Sequence, residues 1–291
     1  MKRILELTTF KRHVAAVIFV LSAIAYPLPQ PTEANGPTVR VLDRARIGGY
    51  SEDITFVTKG ALSNQLIVLD GYDVFGIPGQ AHGNPPMKKL FDLKGLGIEI
   101  APRGIAYIES ERLFVANNDF PEPTTLFLFD HKGHPQGTRT IQYLNGYLPV
   151  HLEGMEYIPA TSSVFPDHLL MATWDDNGGP SRIEVIRRDG QVVAEIFPNW
   201  PPDSGTENIG DIMFLPPNRL LVTFYDSTIW TIDFAGNVLA GPQTVAGANG
   251  GEGIAQMGDG RIAYVSYPQD LFFFDGDLNR LPSEDRHDVI G

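Results

Sequence analysis

The chain has 291 residues, with 35 acidic against 22 basic side chains, a net charge of −13, 43% hydrophobic residues and no cysteine. An acidic surface of this kind repels phosphate backbones and anionic lipid headgroups, which excludes nucleic acid as an expected partner. Without cysteine there is neither a disulfide nor a thiol nucleophile, so the apolar core has to hold the fold alone.

Residues 1–25 read as a removable export signal rather than as part of the fold. Lys2, Arg3, Lys11 and Arg12 precede an apolar run from Val14 to Ala25, and Ala23-Ile24-Ala25 offers a small-x-small cleavage site. The run is shorter than the roughly 20 residues of a bilayer crossing, so no stable membrane insertion is expected after cleavage, and the mature chain is expected in the periplasm or secreted. Loss of the signal takes the net charge to about −16, a value that favours cationic ligands or divalent metals as partners. The Pro-rich stretch 26–37 reads as a linker to the domain, which occupies residues 38–291.

From there a unit of roughly 40 to 57 residues recurs five times, the signature of an all-β propeller. Its openings are Glu52-Asp53-Ile54, Arg103-Gly104-Ile105, Glu153-Gly154-Met155, Gly210-Asp211-Ile212 and Glu252-Gly253-Ile254. Second strands follow at Gln65–Leu69, Arg112–Ala116, His168–Ala172, Arg219–Thr223 and Arg261–Val265, apolar on both faces as a strand between two neighbouring sheets must be. Third strands at Thr125–Phe129, Arg182–Ile186, Thr228–Ile232 and Asp270–Phe274 run into Asp/Gly turns. Only the first unit is weak there, with Phe75-Gly-Ile-Pro-Gly79 in the turn's place. Outer strands are expected at Thr138–Tyr143 and Gln191–Ile196. The orphan segment Thr38–Ile47 is expected to complete the last blade and close the ring, because an open ring leaves unpaired edges. Five blades result, or six if residues 80–100 or 285–290 hide a degenerate unit.

Propeller topology gathers the loops entering each innermost strand, and those joining second to third strands, on one face around the axis. The first set carries Glu52, Asp53, Arg103, His151, Glu153, Asn208, Asp211 and Glu252; the second carries Asn117, Asn118, Asp119, Trp174, Asp175, Tyr225 and Tyr267. Glu52, Glu153 and Glu252, at equivalent positions of three blades, either converge on a cation such as calcium or accept hydrogen bonds from neighbouring amides. Arg103 at the same position of the second blade can act as an internal counter-ion. His151 or Asp211 would suit a catalytic base, and Arg103, Asn117, Asn118, Trp174, Asp175, Asn208, Tyr225 and Tyr267 a ligand-binding rim with an aromatic wall. Asp275–Asn279 resembles the start of a calcium loop without its turn glycine, and the glycine-rich 247–253 reads as a flexible entry to the fifth blade. No Gly-x-Ser-x-Gly elbow, His-Glu-x-x-His pair or phosphate loop is present.

Arg103-Gly-Ile-Ala-Tyr-Ile followed by Arg112-Leu-Phe-Val-Ala-Asn117, a pattern repeated over Glu252–Tyr267, resembles an NHL repeat, and Glu153-Gly-Met-Glu-Tyr is similar to strand openings of the SMP-30/gluconolactonase-like propellers. That resemblance implies one divalent metal over the channel, held by a Glu, an Asn and an Asp, and hydrolysis of lactones or esters. Glu153 carries over as the first ligand. Asn208 is separated from Gly210 by Ile209, unlike the family's Asn-Gly pair, and the Asp ligand has no counterpart. Two readings follow: an exported binding propeller with an acidic axial mouth, and a metal-dependent lactonase or esterase.

Overall fold

The computed structural model describes residues 38–39, 41–46, 51–80, 87–96, 98, 101–117, 125–146, 148–149, 151–174, 180–201, 208–267 and 270–276. The expected signal and linker, Asn118, Asp119, Asp175 and residues 277–291 lie outside them.

Strands β1 (Thr38–Val39) and β2 (Val41–Arg46) precede four complete meanders. Blade 1 is β3 (Ser51–Val57), β4 (Gln65–Asp70), β5 (Asp73–Pro78) and β6 (Lys88–Asp92), and blade 2 is β7 (Ile105–Ile108), β8 (Leu113–Asn117), β9 (Thr125–Phe129) and β10 (Pro135–Thr140). Blade 3 is β11 (His151–Ile158), β12 (His168–Trp174), β13 (Arg182–Arg187) and β14 (Val192–Ile196), and blade 4 is β15 (Ile209–Leu215), β16 (Arg219–Phe224), β17 (Thr228–Asp233) and β18 (Val238–Val245). Blade 5 has β19 (Gly253–Gln256), β20 (Ile262–Ser266) and β21 (Asp270–Phe274), and takes β2 as its outermost strand. The fold is therefore a five-bladed propeller closed by the N-terminal strand.

Three details differ from the sequence reading. Phe75–Pro78, read in the turn's place of the first unit, lies within β5 and pairs with β4. The orphan segment is split: Val41–Arg46 runs antiparallel to β21, whereas Thr38–Val39 leaves that blade and pairs parallel to β18 of blade 4. One short segment thus ties two blades. The outer strand of blade 2 starts three residues early, at Pro135, because Gly137 at φ 129° makes a bulge that keeps Pro135 in register with Phe129. Residues 80–100 hold no additional blade among the described residues; they supply β6, the outer strand of blade 1.

Burial falls from axis to rim. Strands β4, β12, β16 and β20 are buried on both faces, which explains their continuous apolar runs, whereas β10 is almost wholly exposed. Among the described residues the core forms five clusters, each lying between two adjacent blades. Phe114 and Phe129 stack against Ile67 and Val57 between blades 1 and 2, and Ile54 and Val68 pack with Val265 and Phe273 between blades 1 and 5, where the ring closes. Turn chemistry is as the sequence implies. Asp130 and Asp233 each accept two backbone N–H bonds at 2.8–3.0 Å, and Gly133, Gly190 and Gly236 take φ of 79°, 95° and 80°.

Candidate functional site

The five opening motifs lie side by side around the axis at the N-terminal ends of β3, β7, β11, β15 and β19. In blades 1, 3 and 4 the ladder to the second strand slips at the motif, between Ser51 and Asp53, Leu152 and Met155, and Ile209 and Asp211. A bulge there releases the third-position amide from its sheet and re-aims the residue before it.

The consequence is an axial plug. Asp53 Oδ1 accepts the N–H of Ile54 at 2.6 Å, and its Oδ2 accepts those of Ile105 at 2.7 Å and Met155 at 3.1 Å. Asp211 Oδ1 accepts Ile212 N–H at 2.7 Å and Oδ2 accepts Ile254 N–H at 2.6 Å. Two carboxyl groups therefore satisfy the third-position amides of all five blades. The room for them comes from glycine at the same position of the other blades: a Cβ on Gly154 would run into the Asp211 carboxyl, and one on Gly253 would press on the backbone of Asp53. The two aspartates also hydrogen-bond each other. Burial pushes Asp53 up to about 7 and Asp211 well above the carboxylate range, the negative neighbour adding to the second shift, so the pair retains a proton at neutral pH.

One layer outward is the mouth. The Arg103 guanidinium stands 3.5 Å from Glu153 Oε2, 4.0 Å from Glu52 Oε2 and 3.3 Å from the Tyr225 hydroxyl, to which it donates. Trp174 Nε1–H donates to the other Glu153 oxygen at 2.7 Å, and the His151 ring stacks on Trp174 at 4.1 Å and 20°, as a cross-strand pair of β11 and β12. Glu252 is buried beside them. Desolvation first, then the charges of Glu52 and Glu153, raise its carboxyl to about 8 against the opposing pull of Arg103. Burial and the charges of Glu153 and Glu252 likewise push the Tyr225 phenol upward. Three carboxyl groups thus share one guanidinium.

Of the residues singled out from sequence, Glu52, Arg103, His151, Glu153, Trp174, Tyr225 and Glu252 come together here. Arg103 is the counter-ion the sequence suggested. Asp211 lies one layer deeper, engaged by backbone amides. Asn117 is buried under the mouth: its Oδ1 accepts the N–H groups of Arg103 and Gly104 at 3.0 and 3.1 Å, and its Nδ2 donates to the Glu153 carbonyl at 2.8 Å. It positions two mouth residues through their backbones. Asn208 is half-buried just ahead of β15, and Tyr267 is 44% exposed after β20. The sequence reading missed the axial plug, although its signal is present in the second motif column, where Asp53 and Asp211 alternate with Gly104, Gly154 and Gly253.

Among the described residues, no group of three or more His, Asp or Glu side chains is arranged as a metal site, and Arg103 places its own positive charge between two of the three glutamates. No known protein family and no curated protein matches the chain. The class defined by fold and site is a five-bladed propeller with an acid-rich axial mouth above a closed channel.

Proposed function

We propose that the chain is an exported ligand-binding propeller whose mouth receives a small cationic group rich in N–H donors, either on a small molecule or on a partner protein. The observation that carries this reading is the acid surplus of the mouth: Glu52, Glu153 and Glu252 stand around a single Arg103, and burial with the charges of the other two glutamates keeps Glu252 largely protonated at neutral pH. Arg103 already occupies the place of such a ligand in cis, with its guanidinium spanning Glu52, Glu153 and the Tyr225 hydroxyl, and an incoming guanidinium or amine would replace those contacts. Trp174, stacked on His151, offers an aromatic wall beside the same carboxylates. The resemblance to NHL-repeat propellers agrees with a binding role, since the fold by itself implies no chemistry.

Calorimetric titration of the protein with ethylguanidinium tests the reading. Saturable binding that weakens about tenfold in Glu252→Gln supports it, a loss of about 1.4 kcal/mol. Equal heats for ethylguanidinium and for sodium chloride of matched ionic strength refute it. The same surplus of carboxylates favours one alternative, a calcium-dependent lactonase or esterase of the gluconolactonase-like kind. There Glu52, Glu153 and Glu252 would hold the ion and His151 would serve as base. In that case the melting temperature rises with calcium and falls in EDTA, since a ligand bound a hundredfold above its Kd adds about 2.7 kcal/mol. Identical melting curves reject the alternative.

A further inference from the structure

At the opposite end of the ring the C-terminal ends of all five innermost strands surround a partly open cavity. Its volume is about 140 Å³, close to the roughly 150 Å³ that accommodates a benzene-sized molecule. The walls follow the repeat. Two residues beyond the third motif position lie Phe56, Tyr107, Tyr157 and Phe214 from blades 1 to 4, with Gln256 from blade 5, and all five line the cavity. The tyrosine rings are pinned at their far ends: Tyr107 donates its hydroxyl proton to the Lys59 carbonyl at 2.8 Å, and Tyr157 donates to Asp167 Oδ1 at 2.6 Å. Their hydroxyls are therefore committed, and it is hydrocarbon that they bring to the cavity wall.

Glu156 is the acid among these rings. It occupies the motif column otherwise filled by Thr55, Ala106, Met213 and Ala255, and burial first, then the charge of nearby Asp53, holds its carboxyl well above the usual carboxylate range. Glu109 also lines the space but is tied to Lys59 in an ion pair. Aromatic walls attract a cation that has no donors of its own, and such a cation favours the ionised form of the Glu156 carboxyl beside it. The mouth, where carboxylates stand ready to accept hydrogen bonds, presents the converse chemistry, and the Asp53–Asp211 plug separates the two ends.

We propose that this cavity binds a compact methylated ammonium group, surrounded by Phe56, Tyr107, Tyr157 and Phe214 and balanced by Glu156. The test uses the full chain and two probes of similar size, tetramethylammonium chloride and uncharged tert-butanol, each titrated at constant ionic strength and followed by NMR. Tetramethylammonium is expected to bind saturably and at least about tenfold more tightly than tert-butanol, and Glu156→Gln and Phe214→Leu each to weaken it about tenfold. Glu252→Gln, at the mouth, is expected to leave that affinity unchanged. The inference is overturned if the cation does not saturate, if tert-butanol binds as tightly, or if Glu252→Gln rather than Glu156→Gln abolishes binding. Should a cavity variant fail to fold, the two probes on Glu252→Gln decide: a preference for the cation that persists there supports the inference, and its loss overturns it.

Discussion

In Asp53→Asn the axial side chain keeps its size and gives up acceptor capacity. Asp53 accepts three backbone N–H bonds, two on one oxygen and one on the other. An asparagine that keeps its oxygen toward Ile105 and Met155 turns its own N–H2 toward the Ile54 amide, leaving at least one buried donor without an acceptor. Each such donor costs about 1–3 kcal/mol. Asp53→Ala orphans all three amides, for about 3–9 kcal/mol, comparable to the about 5–15 kcal/mol that holds a whole domain together. The alanine variant is therefore expected to be unfolded or nearly so, and the asparagine variant folded and weaker. Urea unfolding followed by the fluorescence of Trp174, Trp200 and Trp230 measures the difference. The pH dependence gives a second, independent check. Both aspartates titrate higher in the fold than their unfolded value near 4, so the folded state holds protons that the unfolded chain releases. Their contribution is complete below about pH 4 and declines as pH rises through the folded value of about 7 for Asp53. Between pH 5 and 8 the unaltered protein should lose stability relative to Asp53→Asn, so the penalty of the substitution shrinks as pH rises. A penalty under about 0.5 kcal/mol, or one that is the same at pH 5 and pH 8, would refute the reasoning.

The glycines and the counter-ion give further tests. Gly154→Ala drives a methyl group into the Asp211 carboxyl and is expected to cost at least about 1–3 kcal/mol, whereas Gly95→Ala, with nothing near its would-be Cβ, should stay within about 0.5 kcal/mol in the same unfolding experiment. Arg103→Leu strips Glu153, only 3% exposed, of its guanidinium partner. Breaking a fully buried pair costs about 3–5 kcal/mol, and the 37% exposure of Arg103 brings the expectation down to about 1–3 kcal/mol. The same variant should move the Glu252 titration, followed by carboxyl-carbon NMR, above its value of about 8, because Arg103 opposes the other shifts. An unchanged or lower Glu252 titration would remove Arg103 from the mouth's charge balance.

What the sequence determined is the part of this protein that repeats locally. Hydrophobic runs at Gln65–Leu69, Arg112–Ala116 and their counterparts lie in strands because a strand between two sheets is buried on both faces, and that condition is visible in five consecutive letters. Asp130–Gly133 and Asp233–Gly236 announce their turns because side-chain caps and positive φ are properties of four residues. Counting the openings favoured five blades over six, and one spare strand at the front pointed to closure. What only the tertiary structure decided lies on the axis. Asp53 meets Met155 and Asp211, and Arg103 meets Tyr225, across a hundred residues or more of chain, and nothing local encodes which opening faces which. The five third-position amides are satisfied only because the closed ring brings them within reach of two carboxyl groups. Whether a column residue becomes plug, mouth or cavity wall depends on its depth along the channel. Asp53, Glu52 and Glu156 are alike as letters; ring closure and the resulting loss of water give each its own chemistry.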